Sequence, residues 1–234
     1  MTMDLDTLRF LLAPDGESLL ERAASLEGDL VRRLTVLRKT CPAPVASAAL
    51  ELLDLRKRAR AKFDLADRMF FTRESLEQSS GEIVSNHRAE RFRPDSRVLD
   101  LACGIGGDTI GLARRCFVTA VDIDPVRLEM ARRNLEVYGL SDRVEFLLAD
   151  VTRIPLTAEA AFLDPSRRAN GRRVVRLEEL TPGIDFIRRL VSEIPDTAIK
   201  LSPASDDRDL ETLDAEIEFV SVRGECREAA AWFG

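Results

Sequence analysis

Three aspartates and a glycine-rich turn have the types and spacing that could grip a nucleoside. The turn is Asp-Leu-Ala-Cys-Gly-Ile-Gly-Gly-Asp at residues 100–108, and it follows the apolar run Arg97–Leu101. The glycines of such a turn have no side chains to block a ligand, and the turn presents backbone N–H groups where a helix begins. We therefore predict ligand contacts at Asp100, Cys103, Gly104 and Gly106.

Asp122 ends the next apolar run and is a candidate to bind ribose. It lies 22 residues beyond Asp100, close to the spacing of about 20 residues at which a carboxylate binds ribose hydroxyls in related α/β folds. Proline favours the first position of a helix, so Asp124 is predicted to cap the helix that begins at Pro125. Asp122, with Ile123 beside it, is then free for the ligand. An ordinary acid at a strand end is the alternative.

Asp150 follows the third run, Val144–Leu148, and could accept the amino hydrogens of an adenine. The neighbouring backbone at Val151 would read the edge of the ring. Gly104 and Gly106 begin the dinucleotide pattern G-x-G-x-x-G, but Thr109 takes its third glycine position. This spacing excludes the nicotinamide-dependent oxidoreductases and favours another adenosine-containing ligand.

Short apolar runs alternate with helical stretches from Arg97 onward, and these elements must position the acids. The runs are Arg97–Leu101, Phe117–Val121, Val144–Leu148, Ala160–Leu163, Ala198–Leu201, Ile217–Val222 and Glu228–Phe233. The alternation indicates βαβ units and a mainly parallel sheet. Residues 223–227 are too few for a crossover helix, so the last two runs must form an antiparallel hairpin. The predicted fold is α/β, a Rossmann-like doubly wound sheet of seven strands with the last hairpin antiparallel.

Residues 1–92 have a different texture, rich in leucine, alanine, arginine and glutamate at helical spacing. Leu52, Leu55, Ala59 and Phe63 form one apolar stripe, and Thr72 is predicted to cap another helix. We expect four to six helices here. The predicted organisation is a helical N-terminal subdomain, 1–92, followed by an α/β domain, 93–234.

Composition excludes several classes of protein. The 234 residues are 45% apolar, but no apolar run approaches the ~20 residues of a membrane helix, and no signal pattern is visible at the N-terminus. We expect a cytoplasmic protein without a membrane partner. Four scattered cysteines and one histidine predict neither a disulfide framework nor a metal site. The net charge of −6 means that a polyanion would have to meet a local basic patch.

Residues from Val98 to about Pro165 resemble the class I S-adenosylmethionine-dependent methyltransferases, and most closely the trimethylguanosine synthase group. The shared motifs are the Asp-x-x-Cys-Gly-x-Gly-Gly turn, the Asp-Ile-Asp-Pro turn, and a helix end with Asn134, Tyr138 and Gly139. The resemblance implies S-adenosylmethionine as cofactor. It also implies that the adenosine ligand held by the three aspartates is the nucleoside part of this cofactor.

The chain is also similar to bacterial methyltransferases that carry a THUMP-like C-terminal domain. The motifs that carry this resemblance are Phe-Thr-Arg-x-x-Leu-Glu-Gln at 71–78, Asp-Pro-x-Arg-Arg at 164–168 and Lys-Leu-Ser-Pro at 200–203. It implies that Thr72 and Gln78 fold over the methionine end of the cofactor, with plain helix packing as the alternative. We expect the THUMP-like domain to lie outside these 234 residues.

Asp164 and Pro165 follow the fourth run and match half of a catalytic motif. Methyltransferases of amino groups have Asn/Asp/Ser-Pro-Pro-aromatic here, and the first side chain and the proline carbonyl accept the hydrogens of the amine. This resemblance implies catalytic roles for Asp164 and Pro165. Ser166 and Arg167 depart from the motif, so stacking on a base would need Arg167 or a residue from elsewhere. A turn cap is the alternative for Asp164.

Arginines dominate the segment after Asp164. Arg167 and Arg168 are predicted to bind substrate, because a guanidinium suits phosphate or carboxylate groups. A second basic cluster, residues 56–62, fits a solvated helix face better than a nucleic-acid path. Lys200 either touches substrate or pairs with Asp164. Three phenylalanines are predicted to flank the entrance: Phe70, Phe71 and Phe92.

These observations predict an S-adenosylmethionine-dependent methyltransferase that acts on an RNA base. Two alternatives stay open. The acceptor could be a small acidic metabolite or a protein side chain, or the chain could bind the cofactor as a non-catalytic interaction module. The sequence does not indicate an oligomeric state.

Overall fold

A seven-stranded sheet forms the centre of the computed structural model, which describes residues 3–166, 168–169, 172–173 and 176–234. The strands are β1 (Arg97–Leu101), β2 (Phe117–Asp122), β3 (Val144–Leu148), β4 (Ala160–Leu163), β5 (Arg168–Ala169), β6 (Arg172–Arg173), β7 (Thr197–Leu201), β8 (Glu216–Val222) and β9 (Glu225–Phe233). The order is β3-β2-β1-β4-β7-β9-β8, and the short β5 and β6 pair with each other outside this sheet. The first five strands of that order are parallel, and β9 is antiparallel to both of its neighbours. The predicted Rossmann-like sheet with its final antiparallel hairpin is confirmed.

The hairpin between β8 and β9 is tighter than the predicted five-residue connection. Arg223 and Gly224 adopt φ of 54° and 82°. Two positive φ angles in succession are typical of the two-residue turn whose twist matches that of the flanking strands. Strand β9 therefore begins at Glu225, three residues earlier than predicted.

Ten α-helices occur in the described part of the chain. They are α1 (Leu5–Leu12), α2 (Pro14–Ser25), α3 (Leu30–Leu37), α4 (Ala43–Ala59), α5 (Arg73–Gln78), α6 (Glu82–Ala89), α7 (Gly107–Ala113), α8 (Pro125–Val137), α9 (Ile184–Glu193) and α10 (Asp207–Glu211). Six of them precede the sheet, as predicted. The predicted caps are present, because Thr72 accepts an N–H at the start of α5 and Asp124 does so at the start of α8. None of the helices described is long and apolar enough to cross a membrane.

Two apolar clusters cover the two faces of the sheet. Neighbouring residues of β1 belong to different clusters, Val98 to one and Leu99 to the other, as the two-residue period of a strand requires. The N-terminal helices share the cluster of Val98, and the predicted stripe from Leu52 to Phe63 is buried within it. The helical region therefore packs as a layer on one face of the sheet. The domain boundary at residue 92 stays a prediction.

Asn134 ties the N-terminal region to the glycine-rich turn. It is fully buried on α8, and its amide exchanges two hydrogen bonds with the backbone of Phe70, at 2.7 and 3.1 Å. Its Nδ2 also donates to the carbonyl of Ile105 at 3.0 Å. Tyr138, one turn later, donates its hydroxyl to Glu82 of α6. The Asn-x-x-x-Tyr-Gly motif thus connects three segments that are distant in sequence.

Replacing Asn134 with alanine is expected to lower the free energy of unfolding by about 3 kcal/mol, because three buried backbone groups lose their hydrogen-bond partner. Chemical denaturation followed by circular dichroism measures this change. Asn86→Ala is the matched control, since the side chain of Asn86 accepts a solvent-exposed bond from Arg114. Equal losses of stability in the two variants would contradict the structural role of Asn134.

Candidate active site

A cavity of about 760 Å³ lies at the carboxyl ends of the parallel strands. It is lined by the end of α5, the glycine-rich turn, the segments after β2 and β3, and residues 164–166 after β4. The order of the strands reverses between β1 and β4, and open α/β sheets bind their ligands at such a point. The volume is in the range of ~300–1,000 Å³ that small-molecule sites occupy. This is the candidate active site.

The glycine-rich turn has three residues in left-handed conformation. They are Ala102 at φ 63°, Gly104 at 58° and Gly106 at 84°. A methyl group added to Gly104 would meet no atom within 4 Å, so this glycine leaves room in the cavity. A methyl group on Gly106 would lie 2.8 Å from Cδ2 of Leu135. Gly106 therefore accommodates α8 and does not line the cavity, although it was predicted to contact the ligand.

Asp122 lies at the end of β2 with its carboxylate held by the backbone. Oδ2 accepts a hydrogen bond from the N–H of Gly104 at 2.8 Å, and Oδ1 accepts one from Asp124 at 2.9 Å. The carboxylate lines the cavity although the residue is only 4% exposed. Burial raises its pKa, against the opposing effect of the two backbone bonds. Each oxygen keeps a further acceptor position, so a pair of hydroxyls could bind here.

Asp150 and Val151 also line the cavity, at the end of β3. The carboxylate of Asp150 caps a short 3₁₀ turn, accepting bonds from the hydroxyl of Thr152 at 2.7 Å and from its N–H at 2.9 Å. These two bonds lower the pKa of Asp150. Val151 and the exposed Ile123 provide apolar surface beside it. The arrangement could take a flat polar ring between apolar side chains.

Asp100 is placed differently from the prediction. It precedes the last residue of β1, is fully buried and does not line the cavity. Its Oδ2 accepts a bond from the hydroxyl of Thr109 at 2.5 Å, and its Oδ1 has no partner among the described residues. Burial, with repulsion from Asp108, raises the pKa of Asp100 to about 8. Only two of the three predicted aspartates therefore meet at the cavity. Thr109, which stands at the third glycine position of the dinucleotide motif, donates its hydroxyl to the remaining aspartate, Asp100.

Asp164 faces the cavity from the end of β4 and forms an ion pair. Its Oδ2 accepts a hydrogen bond from Nζ of Lys200 at 2.6 Å, and its side chain is 23% exposed. Pro165 is buried beside it. The backbone of Ser166 pairs with that of Thr181 at 2.7 and 3.1 Å, which fixes the loop after β4. Of the two roles predicted for Lys200, the structure shows the pairing with Asp164.

The end of α5 forms one wall of the cavity, with Gln78 among its lining residues. Thr72 lies outside it, and the reason is local. Its hydroxyl accepts a bond from the N–H of Ser75 at 3.1 Å, while Ser75 bonds the N–H of Thr72 in return. Thr72 thus caps the helix that carries Gln78, and only Gln78 of the two predicted contacts reaches the cavity.

Comparisons with known proteins agree with this geometry. Residues 95–188 match the family model of RNA cap guanine-N2 methyltransferases, and residues 4–59 match a domain family of unknown function. An uncharacterised S-adenosylmethionine-dependent methyltransferase from Mycobacterium tuberculosis is 38% identical over 191 residues, which are 76% of this chain and 51% of that protein. Trimethylguanosine synthase from Schizosaccharomyces pombe is 46% identical over 55 residues, 23% of each chain.

The chain is thus similar to proteins described as methyltransferases, and the M. tuberculosis relative is described as S-adenosylmethionine-dependent.

A solved structure supports the fold independently. The crystal structure of a candidate methyltransferase from Porphyromonas gingivalis W83 has a TM-score of 0.78 at 22% identity. The superposition covers all of this chain and 59% of the P. gingivalis chain. At this identity the likeness shows the fold alone. The chain spans about half the length of the M. tuberculosis relative.

A group of buried charged side chains beside the cavity was not predicted from the sequence. Arg88 of α6 donates to both Asp108 and Glu228, and its guanidinium lies over the ring of Phe162, 4.4 Å from the centroid. Lys200 extends the group, with Nζ 3.8 Å from Asp108. Partners 20 and 140 residues apart leave no local pattern. The available signal was a charge inside each of two apolar strands, at Lys200 and Glu228.

The charges in this group support one another. Burial alone would lower the pKa of Lys200, but Asp164, Asp108 and Glu228 outweigh it and raise the pKa. Burial alone would raise the pKa of Asp108, but Arg88 and Lys200 outweigh it and lower the pKa. Lys200 and Asp108 therefore stay ionised.

The predicted substrate contacts are only partly visible. Arg167 lies outside the described residues, and Arg168 is described only as backbone in β5. Phe70, Phe71 and Phe92 do not flank the entrance, because they are at most 2% exposed and belong to the core. The prediction that these rings flank the entrance is wrong, because they belong to the apolar cluster on one face of the sheet.

The basic cluster on α4 binds other parts of the chain. Arg56 donates to the carbonyl of Met69 at 2.8 Å, and Arg60 pairs with Asp67 at 2.9 Å. Lys62 donates to the carbonyls of Leu76 and Ser79, at 2.7 and 2.8 Å. These residues hold the connection to α5 in place, and the solvated face that was predicted applies to Lys57 and Arg58.

Replacing Asp100 with asparagine is expected to remove a pH dependence of stability. Its pKa is about 8 in the folded protein against 3.8 as the ordinary value, so only the folded state holds the proton between these values. The free energy of unfolding should therefore fall as pH rises from about 4 to about 8. Urea unfolding of both proteins across this range measures the difference.

The Asp100→Asn variant, which cannot ionise, should lose this part of the slope. Asp142→Asn, at an exposed position, is the control and should retain it. Identical pH dependences in wild type and Asp100→Asn would rule out a buried proton on Asp100.

Proposed function

We propose that this chain is a methyltransferase that transfers the methyl group of S-adenosylmethionine to an amino nitrogen of an RNA base. One observation carries the proposal. A single cavity is lined both by Asp122 and Asp150, which suit a nucleoside, and by Asp164, which suits an amine. A bound cofactor and its acceptor would therefore share one enclosed space, as a direct transfer requires.

The residues on the cofactor side fit S-adenosylmethionine. Asp122 would take the two ribose hydroxyls with its remaining acceptor positions, and Asp150 with Val151 would take the adenine. The open space at Gly104 allows the ligand to approach the backbone. Cys103 is buried and lines the same wall, where burial raises its pKa well above the usual range and keeps it neutral. Gln78 and the end of α5 would cover the methionine end.

The charge of the lining also suits this cofactor. Five of the lining residues are acids and one is basic; they are Glu77, Asp108, Asp122, Asp150, Asp164 and Arg127. The cofactor carries a positive sulfonium and a positive ammonium, so an acidic wall attracts it. The same wall disfavours the alternative acceptor, a small acidic metabolite.

Asp164 and Pro165 would orient the acceptor. When bound, S-adenosylmethionine supplies a methyl group on a positively charged sulfur, which leaves as a neutral thioether. The acceptor nitrogen forms a bond to the methyl carbon as the carbon–sulfur bond breaks, and it releases one proton. The carboxylate of Asp164 accepts the hydrogens of the amine, aims its lone pair and can take this proton.

The choice of an RNA base rests on the sequence comparisons. The matching family model is described as RNA cap guanine-N2 methyltransferase, and trimethylguanosine synthase is 46% identical to this chain over 55 residues. A guanine N2 is an exocyclic amine, the kind of group that Asp164 could accept. With Phe70, Phe71 and Phe92 in the core, a base would stack on Arg167 or on a residue from elsewhere.

Replacing Gly104 with alanine is expected to weaken S-adenosylmethionine binding at least 10-fold. The added methyl group projects into the space of the ligand, and alanine is strained at the positive φ of this position. Isothermal titration calorimetry measures the affinity. Gly139→Ala is the matched control, since Gly139 also has a positive φ, 67°, and no atom within 4 Å, but lies away from the cavity. The proposed cofactor site is wrong if both variants bind S-adenosylmethionine equally well.

Methyl transfer should depend on Asp164. Labelled S-adenosylmethionine incubated with fractionated cell extract is expected to label RNA, and Asp164→Ala should lose at least 100-fold in rate while its cofactor affinity stays near normal. Asp185→Ala, at an exposed position on α9, is the control. Label in the protein or small-molecule fraction would show that the acceptor is not RNA. Cofactor binding without transfer to any fraction would indicate a non-catalytic module.

A further inference from the structure

We propose that Lys200 is a positioning residue, which fixes the carboxylate of Asp164 so that the site favours acceptors that donate hydrogen bonds, such as an amino group. This inference rests on the proposed function. It concerns the deeper end of the cavity, where the ion pair between Lys200 and Asp164 joins the group of buried charges.

Lys200 is held from three sides. Its ammonium lies 2.6 Å from Oδ2 of Asp164, 3.4 Å from the carbonyl oxygen of Gln78 and 3.8 Å from Oδ2 of Asp108. The residue is 3% exposed, so water competes little for these contacts. An ammonium group has three hydrogens in tetrahedral arrangement, which suits three oxygens around it. The contacts join the end of β4, the end of α5 and the start of α7.

The surroundings of Lys200 are fixed in turn. Asp108 accepts bonds from Arg88 and from the hydroxyl of Ser80, the latter at 3.0 Å. Arg88 also bonds Glu228 of β9. Two cations and three carboxylates, including Asp164, thus lie together in the interior and connect four elements of the fold. Such a network cannot shift one member without leaving another charge unpaired, which costs several kcal/mol.

The cost of burying these charges suggests a functional reason for them. Hydrophobic residues of similar size would often be neutral or more stable at such positions, so stability alone does not account for the network. Of the network, Asp164 is the member with the largest exposure, at 23%, and it faces the acceptor side. Asp108 and Asp164 both line the cavity, and the more exposed of the two is the carboxylate that would meet the acceptor.

The pairing has a chemical consequence for selectivity. A carboxylate bound to an ammonium is ionised and can only accept hydrogen bonds. It matches an amino group, which brings two hydrogens, and it repels a carbonyl oxygen or a second carboxylate. Lys200 would thus favour acceptors that donate hydrogen bonds, as an amino group does, and keep the attacking lone pair directed at the methyl carbon.

The test uses the full chain, labelled S-adenosylmethionine, and total RNA from cells in which the gene has been deleted. Lys200→Met keeps the length of the side chain but removes the charge. It is expected to lower kcat on the order of 100-fold with little change in cofactor affinity, because the carboxylate is free to turn away from its catalytic position. Lys57→Met, the same change on the exposed face of α4, should leave kcat unchanged.

Chemical rescue separates positioning from a general loss of structure. In Lys200→Ala, added ethylammonium is expected to restore part of kcat, because it can replace the missing ammonium beside Asp164. If Lys200→Met and Lys200→Ala do not fold, Lys200→Arg keeps the charge but changes its geometry. This variant should bind the cofactor normally and lose about 10-fold in kcat, since a guanidinium is planar and larger.

The outcomes distinguish the two proposals. Active wild-type protein together with a fully active Lys200→Met, or a fully active Lys200→Arg, overturns the role of Lys200 alone. A loss of kcat that ethylammonium does not restore also counts against it. Wild-type protein that methylates no RNA overturns the proposed function, and the role of Lys200 falls with it.

Discussion

Parallel pairing of strands β2, β1, β4 and β7 is the constraint on which the rest of the structure depends. Because these strands run in the same direction, their carboxyl ends meet at one edge of the sheet. Asp122, Asp164 and Lys200 come from distant parts of the sequence, yet this edge brings them to one region. Each is held by the backbone or by an ion pair, so the sheet supplies both their proximity and their orientation.

Acids dominate this edge, and their surroundings decide what each can do. Asp122 and Asp150 are bonded by backbone N–H groups and remain available to a ligand. Asp100 accepts a bond from one hydroxyl, and burial outweighs the effect of Arg88 and favours its neutral form. Asp108 is equally buried but bonded to Arg88, and it stays ionised. Residues of one type thus take different roles because their partners differ.

The helices before the sheet support the site rather than stand apart from it. Asn134 joins the backbone of Phe70 to the glycine-rich turn, and Lys62 holds the carbonyls at the end of α5. Gln78, at that end, lines the cavity and also accepts from Lys200. A shift of the N-terminal layer would therefore move one wall of the cavity and a neighbour of the ion pair. The shape of the cavity and the packing of these helices are coupled through this wall.

The sequence by itself determined the elements and several of the residues that line the cavity, among them Asp122, Asp150 and Asp164. Hydrophobic periodicity, proline at Pro125 and the short connection between β8 and β9 are local signals, and they predicted the sheet, the cap at Asp124 and the final hairpin. Only the tertiary structure decided that Asp100 is buried, that Thr72 caps a helix outside the cavity, and that Arg88, Asp108, Glu228 and Lys200 meet. The physical reason is that a buried charge is stabilised by partners far along the chain, and a linear pattern does not record which distant residues the fold brings within hydrogen-bond distance.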